Sequence, residues 1–182
     1  MTGTHFAVVT SALGCLAMAS NCLLAQKAAA GFAHAHTEFR FTASAPYDRV
    51  APLFGADAER KWAPGWEPQF VFPVPAKDQL GAVFFTRHGQ GSSVWTTTAF
   101  DLAAGHVQYV YMMNGALVTL IDIHLTREAD KTGVSVVYER TALTPEANDH
   151  VANLARQDRG FGKEWEQQIN GYLAKTRAAG RD

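Results

Sequence analysis

The stretch of sequence that decides the fold runs from His106 to Leu125 and reads HVQYVYMMNGALVTLIDIHL. Two segments rich in Val, Ile, Leu and Tyr flank the pair Asn114-Gly115, which is typical of a tight turn between antiparallel strands. Further segments of this composition lie on both sides of it, at residues 36–43, 69–74, 82–88, 93–100 and 133–143. Because the spacers between most of them are too short for parallel crossovers, the sequence predicts a curved antiparallel sheet of about seven strands.

Helical signals follow the first and the last of these strands. Ser44-Ala45-Pro46 combines a capping residue with a proline of the first turn, and it predicts a short helix that extends to Phe54. A second short helix is predicted over residues 56–62, where the turn sequence WAPGWEP ends it. Thr144-Pro145 repeats the capping pattern and predicts the start of a long C-terminal helix. The element order indicates an α+β fold.

The C-terminal helix carries a single apolar stripe, which predicts that it packs on the sheet. Gly160 and Gly162 interrupt the middle of this helix and each costs roughly 1 kcal/mol relative to Ala, so a kink or bulge is expected there. The stripe consists of Val151, Leu154, Phe161, Trp165, Ile169 and Leu173.

Length, composition and charge exclude several classes of protein. The chain has 182 residues, of which 47% are hydrophobic and 18% charged, as expected for one globular domain with an extension. Its 16 basic and 17 acidic side chains give a net charge of −1, which argues against a nucleic-acid partner.

The N-terminal segment differs from the rest of the chain. Residues 6–25 read FAVVTSALGCLAMASNCLLA and contain no charged side chain. We therefore predict that residues 1–35 are a signal peptide cleaved near Gly31 or His36, which implies a periplasmic or secreted domain of residues 36–182. If the segment is not cleaved, it is an apolar membrane anchor, or the protein is cytoplasmic. Cys15 and Cys22 both lie in this segment, so a cleaved product has no disulfide.

The order of elements and several short motifs resemble the helix-grip fold of the SRPBCC superfamily, which includes START lipid-transfer domains, polyketide cyclases and birch-pollen-allergen-like proteins. The resemblance covers about residues 36–176 and specifies the fold better than the activity. It implies a sheet wrapped around the long C-terminal helix, with a cavity between them for a hydrophobic or amphipathic ligand. The motifs are Ala45-Pro46 with Val50, the segment 62–66 (WAPGW), Tyr138 with residues 140–143 (RTAL), and residues 164–166 (EWE).

Strand alternation independently predicts which side chains face the helix, because one face of the sheet meets the core and the other meets water. A two-residue turn at Asn114-Gly115 would put Asp122 on the same face as Tyr109. The cost of burying Asp122 and His124 without partners favours a longer turn or a bulge. Trp95, either Phe84 or Phe85, and either Phe70 or Phe72 are also predicted to point inward. The other predicted inward residues are Val107, Tyr109, Tyr111, Leu117, Thr119, Ile121, Ile123, Leu125, Val134, Val136, Tyr138 and Arg140.

These considerations predict a pocket with aromatic walls and a few polar groups that orient an apolar ligand. The alternative is that the aromatic residues only fill the core. Arg140 points inward and needs a carboxylate, a carbonyl, water or a ligand, unless it reaches solvent at the strand end. The predicted ligand-binding residues are Trp66, Phe72, Phe84, Trp95, Tyr109, Tyr111, Tyr138, Arg140, Phe161 and Trp165.

Three functions follow from this pocket, in order of preference. The first is binding or transport of a lipid, polyketide or aromatic molecule. The second is a cyclase- or aromatase-like enzyme acting on a polyketide-like substrate, in which Tyr138 and Arg140 polarise a carbonyl, as the resemblance to cyclases implies. The third is a protein-binding module, for which a contiguous exposed apolar patch would be the evidence.

Other chemistry is not expected. No histidine pair has the spacing of a helical metal site, and no cofactor is implied. Asp122 and His124 lie two apart on one strand but are predicted to face solvent. Gly89-Gln90-Gly91 lies between two strands and is predicted to be a hairpin turn rather than a phosphate loop.

Overall fold

The computed structural model describes residues 31–88 and 91–180. Its centre is one sheet in which all neighbouring strands are antiparallel, in the order β1-β7-β6-β5-β4-β3-β2. This confirms the predicted seven-stranded curved sheet. The strands are β1 (His34–Ala43), β2 (Gln69–Phe72), β3 (Val83–His88), β4 (Gly91–Asp101), β5 (His106–Met113), β6 (Leu117–Glu128) and β7 (Lys131–Ala142).

Two short helical segments follow β1, as predicted. The first is the single-turn helix α1 (Tyr47–Val50), which continues as a 3₁₀ turn over Ala51–Leu53. The second is a 3₁₀ turn over Ala58–Lys61 rather than an α-helix. After β7, a 3₁₀ turn over Pro145–Ala147 leads into the long helix α2 (Asn148–Ala178).

The β5–β6 hairpin has the longer turn that the cost of burying Asp122 predicted. Tyr109 pairs with Ile121 and Met113 pairs with Leu117, which leaves a three-residue loop that begins at Asn114. Asn114 and Gly115 adopt positive φ angles of 47° and 68° in that loop. The register keeps the Asp122 side chain on the outer face of the sheet.

The inner face of the sheet and the apolar stripe of α2 form the core. All the predicted inward residues of β5, β6 and β7 are buried. On α2, Val151, Ile169 and Leu173 are buried, which closes both ends of the helix onto the sheet. Leu154, Phe161 and Trp165 are only half-buried.

Close approach of helix and sheet explains one of the two mid-helix glycines. The α-helix continues through Gly160 and Gly162, where the sequence predicted a kink or bulge. A Cβ atom on Gly162 would lie 3.1 Å from the side chain of Phe39 on β1, whereas one on Gly160 would meet nothing within 4 Å. Gly162 therefore allows α2 to pack directly on β1.

Several sequence predictions concern residues outside the described ranges. The apolar run of residues 6–25 with Cys15 and Cys22 is one of them, and the positions Gly89 and Gln90 of the β3–β4 turn are another. Within residues 31–88 and 91–180, no helix has the length and apolarity needed to cross a membrane.

The two glycines offer a matched test of this packing. We expect Gly162→Leu to lower the free energy of unfolding by about 1–3 kcal/mol, because the new side chain collides with Phe39. Gly160→Leu should raise it by up to about 1 kcal/mol through better helix propensity. Urea unfolding followed by circular dichroism measures both, and equal effects of the two substitutions would contradict the proposed close contact.

Candidate functional site

A cavity of about 790 Å³ lies between α2, the inner face of β4–β7 and the segment that joins the second 3₁₀ turn to β2. All four tryptophans of the chain line it: Trp62, Trp66, Trp95 and Trp165. The predicted ligand-binding residues on its wall are Trp66, Trp95, Tyr109, Tyr111, Tyr138, Arg140, Phe161 and Trp165.

Phe72 and Phe84 do not lie on the wall of this cavity. Phe84 is fully buried and packs behind the wall, its ring centroid 5.7 Å from that of Trp95. Phe72 is 54% exposed. The pairing of edge strand β2 shifts register between Phe70 and Phe72, so Phe70 takes the inward position and stacks on Phe84.

The indole N–H groups of three tryptophans are satisfied by the protein. Trp62 donates to the carbonyl of Leu53 and Trp66 to that of Ala56, both at 2.7 Å. The indole N–H of Trp95 donates to Thr86 Oγ1 at 2.8 Å. Because these polar atoms already have partners, the rings present mainly apolar surface to the cavity.

Arg140 is buried and forms an ion pair with Asp158 of α2. Its Nε donates to Asp158 Oδ2 at 2.8 Å and its Nη2 donates to Oδ1 at 2.6 Å. Nη1 donates to the hydroxyls of Tyr111 at 2.5 Å and Thr119 at 3.0 Å. Thr37 on β1 adds a hydrogen bond to Asp158 Oδ2. Burial disfavours the charge, but these hydrogen bonds, chiefly those with Asp158, raise the pKa of Arg140.

This arrangement gives Arg140 the carboxylate that an inward arginine requires. A guanidinium has five N–H donors, and four of them are used by the protein. Asp158 was not among the site residues predicted from sequence. The spacing of the stripe could have identified it. Asp158 lies four residues after Leu154 and three before Phe161, so it occupies a position on the apolar stripe of α2.

Removing the partner of Arg140 should destabilise the fold. We expect Asp158→Asn to cost about 3–5 kcal/mol, because it leaves a buried guanidinium without its counter-charge. The double variant Arg140→Met with Asp158→Leu should recover most of that loss. Chemical unfolding measures both, with Glu166→Gln on the same helix as the control. An Asp158→Asn variant as stable as the wild type would contradict this role.

Glu59 is a buried carboxyl group on the cavity wall, and it too was absent from the residues predicted from sequence. Its Oε1 accepts hydrogen bonds from the Tyr109 hydroxyl at 3.1 Å and the Gly55 N–H at 3.3 Å. Within the described ranges, no cation forms an ion pair with it and no hydrogen bond reaches its Oε2. Burial raises the pKa of Glu59 to about 8, and the nearby charge of Asp78 adds to the shift.

Asp78 also holds the turn that carries Glu59. Its carboxylate oxygens accept the backbone N–H groups of Asp57 at 2.8 Å and Ala58 at 3.0 Å. Gly55 permits this arrangement: its φ is +134°, and a Cβ atom there would lie 2.5 Å from Asp78. The segment that presents Glu59 is therefore fixed by a neighbouring acid at close range.

The stability of the protein should depend on pH through Glu59. Below pH about 4.5, Glu59 is protonated in both the folded and the unfolded state. Between pH about 4.5 and 8 it ionises only in the unfolded state, so the free energy of unfolding falls as the pH rises. We expect Glu59→Gln to be more stable than the wild type by roughly 2–4 kcal/mol at pH 8 and by much less at pH 4.5. Urea unfolding at both pH values measures the difference in stability, with the exposed substitution Glu67→Gln as the control. A difference between Glu59→Gln and the wild type that does not change with pH would contradict this prediction.

Tyr138 provides another polar group on the cavity wall. Its hydroxyl has no hydrogen-bond partner within the part of the chain that is described. Burial raises the pKa of Tyr138 above its ordinary value, so the hydroxyl keeps its proton and can donate. The guanidinium of Arg140 lies 4.6 Å from the centre of the Tyr138 ring. Tyr138 and Glu59 are therefore two buried groups of the cavity wall that can form new hydrogen bonds to a ligand.

Asp122 and His124 lie on the outer face, as predicted, and His106 of the neighbouring strand joins them. Asp122 Oδ1 is 2.7 Å from His106 Nε2, and Asp122 Oδ2 is 3.2 Å from His124 Nε2. Partial burial opposes the effect, but hydrogen bonds from both histidines and Gln108 lower the pKa of Asp122. The three candidate ligand atoms lie within 4.8 Å of one another, a spacing compatible with a divalent cation.

Comparisons with known proteins add information at the level of the fold. No protein-family model matches the sequence, and no curated protein matches it. Among solved structures, a point mutant of norcoclaurine synthase from Thalictrum flavum matches with a TM-score of 0.61 and 10% identity, over 81% of this chain and 98% of that one.

Two further structures match over similar lengths. An uncharacterized protein from Rhizobium leguminosarum has a TM-score of 0.56 and 15% identity, covering 80% of this chain and 97% of its own. The protein Ara h 8.0201 has a TM-score of 0.57 and 14% identity, covering 79% and 99%. The chain therefore shares the fold of these proteins, the helix-grip fold that its sequence motifs predicted.

Proposed function

We propose that the chain binds a hydrophobic or amphipathic small molecule in the cavity between the sheet and α2. The observation that carries this proposal is the cavity itself, about 790 Å³ in volume with all four tryptophans on its wall. A volume of this order suits a small organic ligand, and apolar walls with few polar groups are typical of such sites.

One structural neighbour supports the same use of the fold. Norcoclaurine synthase from Thalictrum flavum, in another structure with a TM-score of 0.59 and 11% identity, is in complex with dopamine and hydroxybenzaldehyde. Those ligands are small aromatic molecules with polar groups. A ligand of comparable chemistry would match the aromatic wall formed by Trp66, Trp95 and Trp165.

The polar groups favour binding over the enzymatic alternative. A cyclase-like reaction would need Tyr138 and Arg140 to polarise a carbonyl. The Tyr138 hydroxyl is available for that role, but Arg140 already gives four of its five N–H donors to the protein. Arg140 is therefore better suited to fix the positions of Asp158, Tyr111 and Thr119 than to contact a substrate.

The protein-binding alternative has a weaker basis. Apolar side chains are exposed along β2–β5 and the loop after β2, which is the kind of patch that such a function requires. None of them lies on the cavity wall. These residues are Val71, Phe72, Val74, Leu80, Phe85, Val94 and Met112.

We further propose export of the protein, which rests on the apolar N-terminal sequence alone. Strand β1 begins at His34, and Ala35 pairs with Arg140. Of the two cleavage positions, the one after Ala30 preserves the whole strand.

Binding can be tested with the full-length protein. We expect the neutral dye N-phenyl-1-naphthylamine to bind and to quench tryptophan fluorescence, because every tryptophan lines the cavity. Leu154→Trp fills the cavity and should weaken binding at least about tenfold, or about 1.4 kcal/mol. Leu143→Trp, outside the cavity, is the matched control. Unchanged affinity in Leu154→Trp would contradict this binding site, whereas a small molecule extracted from the wild type but not from this variant would support it.

A further inference from the structure

The charges of the cavity wall are unevenly paired. Arg140 and Asp158 neutralise each other through two short hydrogen bonds. Among the described residues this leaves Glu59 as the buried ionisable carboxyl on the wall with no cationic partner. His150 and Glu164 also line the cavity, but both are exposed to solvent. A ligand in the interior of the cavity therefore meets the carboxyl of Glu59, which has no cationic partner, while Glu164 lies on the solvent-exposed side.

The hydrogen bonds of Glu59 leave one oxygen for a ligand. Tyr109 and Gly55 both donate to Oε1, and within the described ranges Oε2 receives no hydrogen bond from the protein. Asp158 differs, because Arg140 and Thr37 together bind both of its oxygens. The protein thus supplies hydrogen bonds to both carboxylate oxygens of Asp158, whereas Oε2 of the cavity-lining residue Glu59 receives none within the described ranges.

The surroundings of Glu59 favour a cation over an anion. Aromatic ring faces attract cations, and Trp62, Trp66 and Trp95 line the same cavity. The negative charge of Asp78 acts on Glu59 and would also repel an anionic ligand. Arg140 cannot compensate, because its charge is already balanced by Asp158.

We propose that Glu59 selects the ligand, and that the cavity takes an amphipathic amine whose ammonium group pairs with the Glu59 carboxylate while its apolar body lies against the tryptophan rings. This inference rests on the proposed function, the binding of a small molecule in this cavity. It adds the charge of the ligand and the residue that recognises it.

The pairing links binding to a proton. In the empty cavity, burial raises the pKa of Glu59 to about 8, so near pH 7 the group carries a proton. An ammonium group favours the ionised carboxylate and expels that proton. The affinity for an amine should therefore rise with pH up to about 8. The titratable groups that face Glu59 are Asp78 from the loop before β3, Tyr109 from β5 and Tyr138 from β7.

A series of three probes with one apolar body separates charge from shape: 4-phenylbutan-1-amine, 4-phenylbutan-1-ol and 4-phenylbutanoate. Tryptophan fluorescence and calorimetry of the full-length protein at pH 8 measure their binding. We expect the amine to bind about 10–100-fold more tightly than the alcohol, as a charge-assisted hydrogen bond implies. Glu59→Gln should remove this preference, whereas Glu67→Gln should preserve it. Calorimetry at pH 7 in buffers of different ionisation enthalpy should show proton release with the amine only.

The outcomes distinguish this inference from the proposed function. Equal affinity for amine and alcohol in the wild type, or tightest binding of the carboxylate, would overturn the role of Glu59 and leave a binding cavity. The same conclusion follows if N-phenyl-1-naphthylamine binds and the amine does not. If neither the dye nor any of the three probes binds, both proposals fail. Cooperative urea unfolding shows that Glu59→Gln is folded, so its loss of amine preference would support the inference directly.

Discussion

The buried ion pair between Arg140 and Asp158 is the constraint around which the rest of the structure is arranged. It joins the last strand of the sheet to the middle of the long helix, and hydroxyl groups from β1, β5 and β6 complete its hydrogen bonds. A charged pair tolerates burial only with such complete hydrogen bonding. The helix is thereby fixed over the sheet at a point where its apolar stripe would otherwise be interrupted.

This pair also shapes the cavity. Val151, Ile169 and Leu173 hold the two ends of α2 against the sheet, while the ion pair holds its centre. Between these attachments, Leu154, Phe161 and Trp165 remain half-buried and form one wall. The opposite wall depends on a short segment after α1, where Asp78 and Gly55 fix the turn that carries Glu59. The two acids of the interior thus have opposite roles: Asp158 completes the scaffold, and Glu59 remains open to the cavity.

Most of the fold could be predicted from sequence because it depends on local periodicity. The alternation of β5, β6 and β7 identified the inward residues, and the cost of burying Asp122 correctly predicted a longer β5–β6 loop. The pairing of the edge strand β2 could not be predicted in this way. Its register shift turns Phe72 outward, and no periodic pattern in the sequence reveals such a shift. Gly162 was treated as a weak point of the helix, although its role is tertiary contact with Phe39.

The candidate site was harder to predict because its polar groups come from distant parts of the chain. Arg140 and Asp158 are close in sequence, but only the packing of α2 on β7 shows that they meet. Glu59 belongs to a short 3₁₀ turn without a clear periodicity. Its hydrogen bond from Tyr109 comes from a residue fifty positions away. Single-sequence patterns can nominate the aromatic residues of such a cavity, but not the pairing of its charges.

The three-residue loop between β5 and β6 has a consequence for sequence divergence. Side chains alternate between the two faces of a strand, so a change of one residue in loop length reverses the faces unless a bulge absorbs it. Loss of Ala116 would turn Asp122 and His124 toward α2 and Ile121 toward water. Among divergent chains of this architecture, insertions and deletions of single residues should therefore be rare at this hairpin.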